Sequence, residues 1–318
     1  MLTAEIIRRV KEIQIRTGRS VADVLAGEFI SVFRGTGMEF DEVRPYQAGD
    51  DIRTIDWNVT ARAGAPFVKR FVEERQLTLL LMADISASQD FGSLTQSKRE
   101  AAAEFCALVA FSASHNDDKV GLVLFHSDVE QYIPPRNGQR HAQRVVRDVL
   151  AHGRAQHERQ ADKPWWRHWL RLGRASVRGS RHATRIDKAL EFIMSVNKRR
   201  TVCFVVSDFI DDQFEQALSQ ANRRHDVVAV LLTDPRELKV PEFGLVTLED
   251  AETGAAQTID TAAGDFADRY AEQANARIEH LRSRLRRNRI DLIHVDISKP
   301  VADPLIEFFK ARERRLRR

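Results

Sequence analysis

From Leu77 onward the chain alternates short, almost wholly apolar runs with longer stretches in which apolar residues return every three or four positions. The first pattern suits a strand buried on both faces of a parallel sheet, the second an amphipathic helix. It predicts strands over Leu77–Ala83, Lys119–Phe125, Val129–Ile133, Thr201–Ser207, Asp226–Thr233 and Asp291–Asp296. Helices are predicted over Ser97–His115, Gln139–Ala151, Arg185–Asn197, Gln213–Arg224 and Gly264–Asn288, with a last one from Ala302. Lys119–Phe125 and Val129–Ile133 read as a strand pair turning at His126-Ser127-Asp128, and Leu245–Glu249 with Gln257–Asp260 as an exposed hairpin about Thr253-Gly254. Strands separated by helices indicate the α/β class: a doubly wound, mostly parallel sheet with helices on both faces.

The chain before Leu77 reads differently. Ile6, Ile7, Val10 and Ile13 recur at helical spacing among Arg8, Arg9, Lys11 and Glu12, as an amphipathic helix would require. Arg34 to Glu74 instead mixes glycines, an Arg-Pro-Tyr turn, dense acids and short β-like pieces such as Pro66–Val72. Residues 1–76 are therefore expected to form a small N-terminal subdomain, and 77–300 the sheet domain, with insertions at 153–181 and 236–262 and a basic C-terminal helix at 301–318.

Composition changes this picture little at first. The 318 residues include 50 Lys and Arg against 46 Asp and Glu, a formal +4 that excludes an evenly basic nucleic-acid binder. The local balance is less even: residues 154–185 sum to +7, 277–289 to +5 and 310–318 to +5, leaving −13 for the rest. Leu77–Ala83, the longest mainly apolar run, is about a third of the roughly 20 residues that cross a bilayer, and no signal-peptide pattern opens the chain. A cytoplasmic protein is expected. Cys106 and Cys203 each lie in an apolar stretch without a thiol or histidine at metal-ligand spacing, and read as core residues.

In an open parallel sheet, ligands bind beyond the carboxyl ends of the strands, where successive crossovers diverge. Asp84-Ile85-Ser86-Ala87-Ser88 follows the first predicted strand of the sheet, Ser207-Asp208 follows the strand from Thr201, and Thr184 precedes the helix leading into that strand. Asp84, Ser86, Ser88, Thr184 and Asp208 would then supply two carboxylates and three hydroxyls to one edge. These are hard oxygen donors suited to Mg²⁺, Mn²⁺ or Ca²⁺, with no thiolate or imidazole to select zinc. An ion held largely by neutral hydroxyls stays electron-poor and takes a further anionic ligand, such as an Asp or Glu of another protein.

The ordered set Asp-x-Ser-x-Ser, Thr, Asp resembles the metal-ion-dependent adhesion site of von Willebrand factor A domains. One departure is Arg181-His182-Ala183-Thr184, where such sites usually place glycine beside the threonine. The upstream segment is longer and more specific. Gly35-Thr36-Gly37-Met38-Glu39-Phe40-Asp41-Glu42-Val43-Arg44-Pro45-Tyr46, Gly49-Asp50-Asp51-Ile52-Arg53-Thr54-Ile55-Asp56-Trp57-Asn58-Val59-Thr60-Ala61-Arg62 and Lys69-Arg70-Phe71-Val72-Glu73-Glu74-Arg75 resemble the signature of the bacterial domain-of-unknown-function family 58. That resemblance implies a von Willebrand factor A-like fold and work beside a MoxR-type AAA+ ATPase in chaperone-like assembly of a client complex. It also implies that a client carboxylate completes the metal site. Within the signature, Glu39, Asp41, Glu42, Asp50, Asp51 and Asp56 near Arg44 and Arg53 are expected to form ion pairs and Asp-centred turns, with Trp57 as an anchor.

Other classes fit less well. A haloacid-dehalogenase-type phosphohydrolase would use a strand-end Asp with Asp208, Asp211 and Asp212, but needs an acid–base Asp two residues after its nucleophile, where this chain has Ser86. No Gly-x-Ser-x-Gly elbow or Walker sequence occurs. Arg154, Arg159, Lys163, Arg167, Arg171, Arg174, Arg178, Arg181 and Arg185, interleaved with Trp165, Trp166 and Trp169, offer a surface for single-stranded nucleic acid, an anionic membrane or an acidic protein. The expectation is a non-enzymatic, metal-dependent protein-binding adaptor.

Overall fold

The computed structural model describes residues 38–73, 76–93, 96–161, 184–210, 214–249 and 256–316. The expected N-terminal helix, Asp211, Asp212, the hairpin tip at Thr253-Gly254 and the tryptophans of the basic insertion lie outside the described residues. The described residues fall into two compact units, the smaller ending at Leu77 and the larger running on from Thr78.

In the smaller unit, β1 (Met38–Pro45) and β2 (Phe67–Glu73) form an antiparallel ladder. Between them run a 3-10 turn at Ile52–Thr54 and the short helix α1 (Trp57–Ala63). The sequence pattern predicts only extended chain and loops here. The helix forms because Asp56 caps it, accepting from the Asn58 and Val59 amides, and Gly64 ends it at φ 70°, a left-handed conformation that suits glycine. Acids of the signature pair within this unit: Arg44 donates to Asp50 Oδ1 at 2.6 Å, Asp50 Oδ2 accepts from the Gln47 amide, and Lys69 lies 3.4 Å from Asp56. Trp57 does not anchor the segment as expected; it opens α1 just after the cap and is 68% exposed.

The larger unit is built on a six-stranded sheet in the order β10-β7-β6-β3-β4-β5. Its strands are β3 (Thr78–Asp84), β4 (Lys119–Phe125), β5 (Val129–Arg136), β6 (Val202–Ser207), β7 (Asp226–Thr233) and β10 (Asp291–Asp296). All neighbours are parallel except β4 and β5, whose antiparallel pairing follows from the short turn between them. β5 carries Pro134 and Pro135, tolerable because it is an edge strand. Hairpin β8 (Leu245–Glu249) and β9 (Ala256–Asp260) pairs separately, as expected.

The helices of this unit are α2 (Lys98–His115), α3 (Gln139–Ala161), α4 (Ile186–Val196), α5 (Glu215–Arg224), α6 (Pro235–Leu238), α7 (Phe266–Arg287) and α8 (Ala302–Leu316). Alternate strand residues face opposite layers. Leu80, Met82, Cys203, Val205 and Ala229 pack with Ile186 and Leu190 of α4, Leu218 of α5, and Ile278 and Leu281 of α7. On the other face, Phe105 of α2 meets Phe204 of β6 edge to face, with ring centroids 5.9 Å apart. α2 is buried over nearly its whole length and α3 packs on it. α3 runs ten residues past its expected end at Ala151.

Some of the arginines in two basic segments pair with acids of the fold. Arg312 pairs with Asp226 and Asp291, Arg315 with Asp291, and Arg284 pairs with Glu215 while lying over the Phe214 ring. These pairs fix α8 to the amino ends of β7 and β10, and α7 to α5.

Candidate metal centre

Crossovers diverge on either side of β3: the chain leaves it toward β4 and later returns to add β6 on the opposite flank. The carboxyl ends of β3 and β6 therefore border the sheet's switch point, where ligands bind in such folds. Asp84 ends β3, and Asp208 follows Ser207, the last residue of β6.

The loop after β3 is held tightly. The Ser86 amide donates to Asp84 Oδ1 at 2.8 Å, and the chain then enters a 3-10 turn at Ala87–Asp90. This brings Ser86 Oγ and Ser88 Oγ to 3.0 Å of one another. From beneath, Arg99 donates through Nε to Asp90 at 2.6 Å and through Nη2 to the Ile85 and Ser86 carbonyls. Asp84 Oδ2 accepts from Ser207 Oγ at 2.7 Å, joining the two strand ends directly. Phe209 takes φ 51°, unusual for a bulky residue, and its ring is buried edge to face on Phe214. The strained backbone thus lies next to the candidate ligand Asp208.

Thr184 is buried just before α4, and the next residue, Arg185, donates its amide to the His126 carbonyl beyond β4 at 2.7 Å. It therefore lies at the carboxyl end of the strand flanking β3 on the other side. Among the described residues, no hydrogen bond links its side chain to the other four candidates. Asp84, Ser86, Ser88 and Asp208 are brought together; Thr184 shares their edge.

The electrostatics of this edge are unusual. Asp84 is 2% exposed and Asp208 4%. Burial, followed by the negative charge of Asp208, pushes the Asp84 carboxyl up to about 7, against the opposing pull of the Ser86 amide and Ser207 hydroxyl. Asp208 has a cation, because Lys98 Nζ lies 2.8 Å from its Oδ2 and 2.7 Å from Glu237 Oε1. Lys98 is wholly buried. Burial works to lower its pKa, but the charges of Asp208 and Glu237 outweigh that and the net shift is upward. Among the described residues, no side-chain cation pairs with Asp84.

Lys98, Glu237, Asp234 and Ser93 are not singled out by the sequence pattern. Asp234 caps α6 and accepts from both the amide and hydroxyl of Ser93, at 2.7 and 2.5 Å. Glu237 Oε2 returns to the Asp234 amide at 3.0 Å. The signal for this clamp was the capping box Asp234-Pro235-Arg236-Glu237 directly after a strand.

The donors fit a hard divalent cation. A buried carboxylate with no counter-cation among the described residues, two hydroxyl oxygens 3.0 Å apart and a second carboxylate at the adjacent strand end are all oxygen ligands of the kind such ions take.

The family of proteins of unknown function DUF58 matches residues 42–280, a span that includes most of the signature segment and all five candidate ligands. The chain belongs to the DUF58 family. One DUF58 relative, an uncharacterized protein of Mycobacterium tuberculosis, is 29% identical over 259 residues, covering 80% of this chain and 74% of the other. An uncharacterized Mycobacterium avium protein is 24% identical over 183 residues, covering 57% of this chain and 94% of its own. Solved structures with a similar fold include the conserved hypothetical protein BatB from Bacteroides thetaiotaomicron, at TM-score 0.39, 14% identity and coverage of 75% of this DUF58 chain and 99% of that one. The SpRpn10 VWA domain is another, at TM-score 0.34 and 12% identity, covering 72% of this chain and 93% of the other.

Proposed function

We propose that this DUF58 protein is a non-enzymatic adaptor that binds a partner protein through a divalent metal ion, Mg²⁺ or alternatively Mn²⁺ or Ca²⁺, at Asp84, Ser86, Ser88, Thr184 and Asp208. The observation that carries the reading is Asp84: a buried carboxylate at the switch point, fixed by hydrogen-bond donors and lacking a cationic partner among the described residues. A bound divalent ion would supply the missing positive charge and one open position for an external ligand. Ser86 and Ser88 would offer neutral oxygens, Asp84 a charged one, and Asp208 would act from the adjoining strand end. With so few charges around it, the open position favours an Asp or Glu carboxylate from a client protein.

By family resemblance, the second partner is a MoxR-type AAA+ ATPase, and the joint task is chaperone-like assembly or activation of a client complex in the cytoplasm. The test is binding of the purified ATPase and client candidates by surface plasmon resonance in Mg²⁺ and in EDTA. Client binding should fall at least ~10-fold in EDTA and recover with Mg²⁺; equal binding in both would overturn the metal-dependent adaptor.

A further inference from the structure

Lys98 occupies an electrostatically awkward place. It is in the first turn of α2, where the helix dipole disfavours a cation, and it is fully buried, where an ammonium is costly. Two carboxylates hold it there, Asp208 at 2.8 Å and Glu237 at 2.7 Å. Neither the helix nor the apolar core requires a lysine at this point. Its position is defined instead by the end of β6, which carries a candidate metal ligand, and by α6 beyond β7.

We propose that Lys98 is an internal cation that competes with the metal for Asp208 and so weakens the site's hold on the ion. This rests on the metal site proposed above and concerns its regulation. Asp208 Oδ2 is committed to Lys98, so Asp208 does not lend its full charge to the site. Glu237 moderates this competition by accepting a second hydrogen bond from the same ammonium. Its other oxygen holds the Asp234 amide, and Asp234 holds Ser93 in the loop that continues from Ser86 and Ser88. The candidate ligands thus belong to a polar ring running from the metal loop through α6 to Lys98 and Asp208. A partner that draws Glu237 away from Lys98 would strengthen the Lys98–Asp208 pair and weaken the metal; one that draws Glu237 and Lys98 together would do the reverse.

The test is Mg²⁺ binding by isothermal titration calorimetry to four full-length proteins: wild type, Lys98→Met with Glu237→Gln, Asp208→Asn, and the triple variant. Lys98→Met with Glu237→Gln removes one positive and one negative charge, so the general field is unchanged and the effect reports on Asp208. Affinity should rise at least ~10-fold over wild type, and the gain should vanish in the Asp208→Asn background. No gain, or a change of equal size in both backgrounds, would overturn the competition, because a merely structural role would not depend on Asp208. If the double variant does not fold, Glu237→Gln alone decides. It lies at the edge of the cluster, and its loss should weaken Mg²⁺ binding at least ~3-fold in wild type while leaving Asp208→Asn unchanged; any other pattern overturns the proposal. Metal binding by wild type with no response to Lys98 would defeat this inference alone. Absence of binding in all four proteins would defeat the metal site as well.

Discussion

Replacing Asp84 by asparagine should stabilise the metal-free protein, and the gain should grow with pH. The carboxyl rises from an ordinary 3.8 to about 7 on folding, so between those values the folded state holds a proton that the unfolded state has lost. Stability then falls as pH rises through that window. At ~1.4 kcal/mol per pH unit, a charged Asp84 costs roughly 4 kcal/mol, and local relaxation reduces this to about 2–4. The introduced carboxamide would keep an oxygen for the Ser86 amide, and Ser207 Oγ could turn to accept from its new amide group. The assay is urea unfolding in EDTA at pH 4.5 and pH 7.5. Other groups titrate over the same range, so the decisive quantity is the difference between variant and wild type at each pH. Asp84→Asn should gain about 1.5–3 kcal/mol on wild type between the two. A difference that is constant with pH, or that moves the other way, would mean that Asp84 is adequately compensated without a metal, and would remove the observation on which the site rests.

Two further outcomes follow from the same geometry. Asp234→Ala should lower stability by about 2–3 kcal/mol, because it unties Ser93 and uncaps α6 while leaving the half-buried Ser93 and Arg236 amides short of an acceptor; thermal unfolding in EDTA measures it, and a change under about 0.5 kcal/mol would contradict the clamp. Gly121→Ala should destabilise by ~1–3 kcal/mol through overpacking, since its Cβ would lie 2.9 Å from the Ile133 carbonyl and from Leu80 Cδ1; an unchanged melting temperature would show that β4 and β5 are not packed this closely.

Strands buried on both faces were legible because nothing but an apolar run can fill them. β7 begins and ends where the pattern places it, at Asp226–Thr233, and so does the half-buried edge strand β10, at Asp291–Asp296. The placement of Asp84 and Asp208 on one edge followed from the same reading, since a βα rhythm puts the carboxyl ends of the parallel strands on one side of the sheet; that β6 lies directly beside β3 is set by the tertiary arrangement. α1 was not legible: seven residues are too few for helical periodicity, and the caps at Asp56 and Gly64 define it. The far end of α3 was missed because Gly153 and the polar residues after it break the apolar pattern, whereas backbone hydrogen bonding continues to Ala161. The role of Lys98 is not legible in the sequence. A lysine one residue past a Ser97 cap reads as a solvated helix start, and only the tertiary arrangement brings Asp208 and Glu237 to it from 110 and 139 residues away in sequence. Likewise, the +5 sum of residues 310–318 does not show that Arg312 pairs with Asp226 and Asp291 at the starts of β7 and β10.

The most direct measurement is a calorimetric titration of the metal-free protein with Mg²⁺, repeated with Asp84→Ala. Wild type should bind one ion per chain, at the end of β3. Asp84→Ala should lose at least ~100-fold in affinity, as expected when a charged, buried ligand is removed. Equal affinity in the two proteins, or no binding by wild type, would contradict a metal centre at the switch point.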